Sequence, residues 1–237
     1  PPVVSTVGGP LGLLALASAQ GGTNWAGGSY DPETHIAYVF SQRSISNLGL
    51  VASDSSRDFR YVQGTATGGV RASGGAGSDG GGAPGSASAE EQSTGITIQG
   101  LPIVKPPYGS ISAIDLDKGE ILWQIAHGET PDNIKNHPAL KGLTIPRTGR
   151  GGLVGVLTTG SLVIAGERGT YTDEQGRNAA RLRAYDKATG KEVGAVFMPT
   201  GQTGSPMTYM ANGKQYIVIA VGGPGHPGEL IAYRLPD

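Results

Sequence analysis

The 237-residue chain contains no cysteine, so disulfides and thiolate metal sites are excluded. It has no block of basic residues: 18 Lys and Arg stand against 19 Asp and Glu, for a net charge of −1. Binding of nucleic-acid phosphates needs clustered cations, and this balance argues against such a partner. No apolar run reaches the roughly 20 residues of a membrane span; LGLLALA at 11–17 is far shorter. The opening PPVVST lacks the basic region of a signal peptide. A start on two prolines inside strand-like sequence reads as the interior of a longer protein. Aromatic residues make up 6% and charged residues 16%, while Gly reaches 41 and Pro 16. That is a turn-rich, strand-rich composition rather than a helical one.

The pattern is organised around ISAIDLDKGEILWQI at 111–125. It reads as strand, tight turn, strand, with Asp115, Asp117, Lys118 and Gly119 supplying the turn. LRAYDKATGKEVGAVF at 182–197 repeats the device. Ala184-Tyr185-Asp186 matches Ala113-Ile114-Asp115, and the two Asp stand 71 positions apart (186 − 115). A weaker echo is Tyr30-Asp31-Pro32-Glu33-Thr34 before the strand at 36–40. Self-similarity at this spacing predicts repeated sheet units, as in a β-propeller.

In chain order, 11–17 reads as a short buried strand and 21–28 as a Gly-dense turn carrying Trp25. The stretch 42–61 is polar and poorly periodic. The Gly/Ser/Ala tract at 64–94 cannot bury enough apolar area to offset its ordering entropy, and is expected to be a flexible surface loop. Thr130 as N-cap and Pro131 at the first helical position predict one short helix, ended by Pro138. Strands at 153–157, 162–165, 182–185 and 193–197 predict a four-stranded antiparallel blade. Three more follow at 206–210, 216–221 and 230–235, the first two joined by an Asn212-Gly213 hairpin turn. A fourth strand is missing from that last group, as in propellers closed by pairing the two chain ends.

Few motifs carry chemistry. Gly223-Pro224-Gly225-His226-Pro227-Gly228 fits G-x-G-x-x-G, but a strand follows it where a dinucleotide site needs a helix N-terminus. It reads as a Gly/Pro loop between strands. His35, His127, His137 and His226 have no partner at i+4 and read as surface or turn residues. His226 is set apart by its loop, where binding residues tend to lie. No G-x-S-x-G elbow occurs. Asp115 and Asp186 recur at matched places, which indicates turn-building rather than catalysis. Trp25, framed by glycines, has two readings: a core tryptophan, or one wall of a planar-cofactor pocket to which Asn24 adds an amide.

GGTNWAGGSYDPETHIAYV at 21–39, YGSISAIDLDKGEILWQI at 108–125, LRAYDKATGKEV at 182–193 and TGSPMTYMANGKQYIVIAVGG at 203–223 together resemble the pyrroloquinoline quinone (PQQ) dependent dehydrogenases. The nearest likeness is to the C-terminal part of the glucose-dehydrogenase-like branch, over most of the chain outside the 64–94 loop. The resemblance implies an eight-bladed propeller with PQQ and calcium on its axis, oxidising a sugar or alcohol in the periplasm. It also implies that PQQ would supply the hydride acceptor and an Asp the base for the substrate hydroxyl. By position it implies cofactor contacts from Asn24, Trp25 and His226, and a docking role for Trp123. Gly194 stands where the second repeat would carry a docking Trp. The family's calcium ligands, catalytic Asp and ring-stacking Trp fall upstream of this sequence, so no catalytic or metal residue is assigned.

The expectation is therefore an all-β chain, 1–237, forming about three four-stranded antiparallel blades of a quinoprotein propeller. Its partners would be a small sugar or alcohol and the remaining blades, with no membrane span in the chain. Two other readings stand beside this one: a non-catalytic propeller acting as an assembly scaffold, and a carbohydrate-binding β-module, which would want more exposed aromatics.

Overall fold

The computed structural model describes residues 13–16, 22–23, 27–52, 58, 60–64 and 96–234. Asn24 and Trp25 lie outside the described residues, as does the 64–94 loop except for Gly64. The chain divides into two compact units, one of residues 1–22 and 44–104, the other of 23–43 and 105–237.

In the first unit, β1 (Leu13–Leu16) pairs with β4 (Ile45–Ala52), which pairs with β5 (Tyr61–Gly64). A separate hairpin joins β6 (Thr97–Ile98) to β7 (Leu101–Pro102). Two expectations are corrected here. The 11–17 run does hold a strand, but Leu14 and Leu16 are exposed at 64% and 69% rather than buried. The 42–61 stretch contains the eight-residue β4, with no apolar alternation to announce it. Its order comes from non-local pairing with strands on either side.

The described residues of the second unit form three antiparallel sheets. The first runs β2 (Gly28–Asp31), β3 (Ile36–Gln42), β8 (Gly109–Asp115), β9 (Glu120–Ala126). The second runs β10 (Val156–Thr158), β11 (Leu162–Gly166), β13 (Asn178–Asp186), β14 (Glu192–Met198), with the short β12 (Tyr171–Thr172) also on β13. The third is β15 (Met207–Ala211), β16 (Lys214–Gly223), β17 (His226–Arg234). The four strands expected over 153–197 and the three over 206–235 are present, the former with the short β12 added, and the strand pair expected around 111–125 belongs to a further four-stranded sheet.

Side-chain alternation puts both faces of the second sheet to use. Val163, Ala165 and Tyr185 pack with Tyr38, Phe40, Ile111 and Ala113 of the first sheet. Ile164, Ala180, Leu182 and Met198 pack with Ile219 and Val221 of the third. Ser29 Oγ, on β2, accepts from Thr158 N of β10 at 3.1 Å, so the first strands of two successive sheets run side by side.

The turn aspartates act as expected. Asp115 Oδ1 accepts from Asp117 N and Lys118 N. Asp186 Oδ1 accepts from the backbone and hydroxyl of Thr189. Gly119 and Gly190 share φ of +71°, the left-handed conformation that closes each turn. Asp31 uses the same chemistry, accepting from Glu33 N and Thr34 Oγ1, but its turn joins the first two strands of a sheet rather than the last two.

Among the described residues one helix forms, α1 (Asp132–Lys135), but its cap differs from the expectation. Pro131 occupies the N-cap position, and no side chain caps the helix. Thr130 Oγ1 instead accepts from Thr148 N at 3.1 Å, tying down the far side of the loop. A 3-10 turn, Pro138–Leu140, follows the helix.

Candidate functional site

The antiparallel registers bring one set of loops to a common end of the second unit. Gly28 pairs with Val39, so the start of β2 lies beside the end of β3, and Phe40 N donates to Gly27 O. Gly109 opens β8 at the same end, opposite Gln42. The segment 148–152 crosses here: Tyr108 N donates to Thr148 O, Arg150 N to His127 O, and Gly152 N to Gln42 Oε1 at 2.9 Å.

Gln202 joins the second sheet to the third. Buried at 1% exposure, its Oε1 accepts from Gly166 N and its Nε2 donates to Gly155 O. Its backbone bridges to Val221 and donates to Glu167 O. Arg168 Nη1 reaches its carbonyl at 3.2 Å. Gly222 N donates to Gly201 O and Thr203 N to Ala220 O, so the end of β16 rests on 200–203.

Beside these loops lies an ionic cluster, buried at Arg183 and Glu167 and partly exposed at Glu129, Arg147 and Glu192, that the sequence reading did not find. Arg183 Nη2 bonds Glu167 Oε1 at 2.7 Å and Glu129 Oε1 at 2.6 Å, and its Nη1 bonds Glu192 Oε1 at 2.9 Å. Arg147 reaches Glu192 at 2.7 Å. Glu167 also accepts from Glu129 N and Arg181 N. Burial pushes the Glu167 carboxyl up, against the pull of Arg183. Burial alone would lower Arg183, but Glu167 and Glu192 reverse that and raise it. The cluster clamps the 127–150 loop to the second sheet. Its sequence signal was faint: charged residues inside otherwise apolar strands, as in RLRAY at 181–185.

The histidines divide. His35 sits in the 32–35 turn with φ of +56°, and its ring faces Asp117 at 3.1 Å. His137 caps the 3-10 turn, accepting from Ala139 N. His127 corrects the surface expectation: it is 1% exposed, packs edge-on against Phe40 and Tyr185, and bonds Tyr185 Oη through Nδ1 at 2.8 Å. Nε2 meets Gly166 O, an acceptor, so Nε2 carries the hydrogen and the Tyr185 hydroxyl donates to Nδ1. Burial lowers its pKa to about 4. Its position directly after the strand at 120–126 was the available clue.

His226 is the one sequence-predicted site residue within the described chain. The expected Gly/Pro loop is shorter than anticipated: β16 ends at Gly223 and β17 begins at His226, leaving a two-residue turn. His226 Nε2 lies 2.7 Å from Glu229 Oε1, both partly exposed. The end of β16 that leads into its turn is anchored to 200–203. Arg150 Nη1 donates to Thr170 O at 2.7 Å, and Arg168 Nη1 to Gln202 O. Among the described residues no three His, Asp or Glu side chains gather as a metal site. No described helix is long and apolar enough to cross a membrane.

At the opposite end of the sheets a shallow hollow of about 240 Å³ is lined by Tyr30, Asp31, Glu33, Thr158, Thr159 and Lys187 among others. Lys187 Nζ and Asp31 Oδ2 pair there at 2.7 Å. Lys187 O accepts from both Tyr38 Oη and Trp123 Nε1, each at 3.1 Å. This is the docking geometry expected of Trp123. Gly194 pairs with Ala184 as Trp123 pairs with Ala113, so the second sheet does carry Gly at the equivalent place.

Comparison with known proteins agrees with this architecture. Residues 7–217 match the family model described as PQQ glucose/ethanol/alcohol dehydrogenase, beta-propeller domain. The chain is 36% identical over 238 residues to a probable quinate dehydrogenase (quinone) of Xanthomonas campestris pv. juglandis, covering 94% of this chain and 27% of that protein. It is 31% identical to the glycerol dehydrogenase large subunit of Gluconobacter thailandicus, covering 92% and 29%. It is 29% identical to quinoprotein glucose dehydrogenase A of Acinetobacter calcoaceticus, covering 95% and 26%. The chain thus spans little more than a quarter of the length of these relatives. The solved quinohemoprotein alcohol dehydrogenase of Comamonas testosteroni superposes with a TM-score of 0.50 at 22% identity, over 92% of this chain and 27% of that one, and shares the fold. The repeated sheets, the docked tryptophan and these matches place the chain in the PQQ-dependent quinoprotein dehydrogenase family, as part of its β-propeller domain.

Proposed function

We propose that the protein carrying this chain is a PQQ-dependent dehydrogenase that oxidises a hydroxyl group of a sugar or alcohol and passes the electrons to a quinone-type acceptor. The match to the family model over residues 7–217 carries the reading. The relatives' names include quinate, glucose and glycerol as substrates, all polyhydroxylated small molecules. When bound, PQQ supplies the two-electron acceptor, which no protein side chain offers. Asn24, Trp25 and His226 are the residues proposed to hold it. Trp25 would offer an aromatic face, Asn24 an amide, and His226 a ring nitrogen from the anchored hairpin. Calcium is proposed as the accompanying ion, with ligands from elsewhere in the protein, and the periplasm as the compartment.

The test is to express the intact protein, reconstitute it with PQQ and calcium, and follow dye reduction with glucose, quinate, glycerol and 1-butanol. Turnover that requires PQQ supports the reading. A folded protein that binds no PQQ and oxidises none of the four overturns it, and leaves the scaffold role.

A further inference from the structure

We infer that Glu229 is a positioning residue that fixes the tautomer of His226, so that the ring offers Nδ1 as a hydrogen-bond acceptor to an N–H or O–H donor in the cofactor site. The inference rests on the cofactor-holding role proposed above for His226.

The argument starts from strand parity. Residues at i and i+3 on a regular strand point to opposite faces, so His226 and Glu229 should not meet. They meet because the β16–β17 ladder is irregular. Val221 pairs with Glu229 and Gly223 with His226, so two steps on β16 oppose three on β17. The extra residue is a β-bulge, and it falls on Pro227-Gly228. A bulge of this kind turns a side chain to the other face. Here it puts the imidazole and the carboxylate on one side, 2.7 Å apart.

The chemistry of the contact then sets the ring. An ionised carboxylate only accepts, so Nε2 must carry the hydrogen. In a neutral imidazole the other nitrogen is left with its lone pair, and the partner of one nitrogen decides the role of the other. Nδ1 therefore accepts. The base beneath is firm: Gly222 and Ala220 are bonded to 200–203, and Gln202 ties that segment to the second sheet. The side chains of His226 and Glu229 are 29% and 46% exposed, so the ring is reachable. An acceptor suits a substrate hydroxyl or a cofactor N–H; the carboxylates of a quinone would need a donor.

The test uses the intact protein with Glu229→Gln and Glu229→Lys, each alone and with His226→Ala. Gln keeps an acceptor for Nε2–H, and the expected loss is within about twofold. Lys only donates, so it drives the hydrogen to Nδ1. The expected loss is about tenfold, the size of one hydrogen bond to a charged or polar partner. A cofactor donor predicts the loss in PQQ affinity without substrate; a substrate hydroxyl predicts it in kcat/KM with PQQ affinity intact. In the His226→Ala background the Lys substitution should cost nothing further. Imidazole nitrogen-15 spectra of histidine-labelled protein, with the His226 signals identified by their loss in His226→Ala, give a readout independent of activity. They should show the hydrogen on Nε2 in wild type and on Nδ1 in Glu229→Lys. Hydrogen on Nδ1 in wild type overturns the inference, as does a Glu229→Lys loss that persists without His226. Failure of PQQ binding in wild type would instead sink the proposed function, and the nitrogen spectra would still decide the tautomer.

Discussion

The indole Nε1–H of Trp123 donates to the backbone carbonyl of Lys187, 64 residues away in sequence, at 3.1 Å. The ring lies over Gly190, where an added Cβ would stand 2.8 Å from two of its carbons. Trp123 belongs to the outer strand of one sheet and Gly190 to the last turn of the next, so the contact joins sheet to sheet. The absence of a side chain at 190 is what lets the ring close down on the turn.

Gly190→Ala should therefore be much worse than Gly119→Ala. Both glycines hold φ of +71°, so both substitutions carry the left-handed cost of about 1–2 kcal/mol. Nothing lies within 4 Å of a Cβ at 119, whereas a Cβ at 190 displaces the indole. Thermal unfolding of the intact protein should show the larger drop for Gly190→Ala. Trp123→Ala should cost about 3 kcal/mol, and Trp123→Phe about 1 kcal/mol for the lost N–H donor. Equal effects at 119 and 190 would show that the ring does not bear on the turn.

Arg183 sits among Glu167, Glu129 and Glu192, and Glu167 is 2% exposed. Removing the cation leaves a buried carboxylate without its partner. Arg183→Met should destabilise by about 3–5 kcal/mol. Glu167→Gln should be milder, because its carbonyl oxygen still accepts from backbone N–H. In the Glu167→Gln background, Arg183→Met should cost clearly less than in wild type. Additive losses in denaturant melts would contradict the coupling.

The turns and strands of the second unit were legible because their signals are local. Asp115, Asp186 and their glycines announce a turn within five residues, and Asn212-Gly213, both at positive φ, announces another. The docking role of Trp123 was legible only through the family resemblance, since its acceptor, Lys187 O, lies 64 residues away in sequence. The cluster around Arg183 was not legible, because its members come from 129, 147, 167, 183 and 192 and nothing in the sequence says that they converge. His127 was misplaced for the same reason, since its burial depends on Phe40 and Tyr185 from other strands. The strand at 45–52 escaped notice because pairing, not periodicity, orders it. His226 was singled out for its loop, but Glu229 was not, since only a bulge brings i and i+3 together on a strand.

Trp25→Ala should weaken PQQ binding to the intact protein by about 1–3 kcal/mol, the size of one lost large aromatic contact. Trp25→Phe should recover part of it. Titration of the apoprotein with PQQ, followed by quenching of intrinsic fluorescence, measures both. Unchanged affinity in Trp25→Ala, with the fold intact, would remove Trp25 from the proposed site.

His127 makes a pH dependence whose sign can be worked out. Its ring is buried between Phe40 and Tyr185, and burial lowers its pKa from 6.5 to about 4. In the unfolded chain the ring takes up a proton near the ordinary value, while in the folded protein it stays neutral. Above about pH 6.5 the ring is neutral in both states, and its neutral hydrogen bonds to Tyr185 and Gly166 contribute in full. As the pH falls through the interval from 6.5 towards about 4, the unfolded state gains protons that the folded state does not, and stability is lost. Across the whole interval the loss is roughly 3 kcal/mol. Below it the folded ring protonates as well, and this contribution levels off. Replacing His127 with Gln, which keeps one donor and one acceptor but does not titrate, should lower stability at pH 7.5 through imperfect packing. It should also flatten the decline between pH 6.5 and pH 4.5 relative to wild type. Chemical denaturation of both proteins at matched pH values separates the two effects. Parallel curves for wild type and His127→Gln over that range would show that another group governs the acid side.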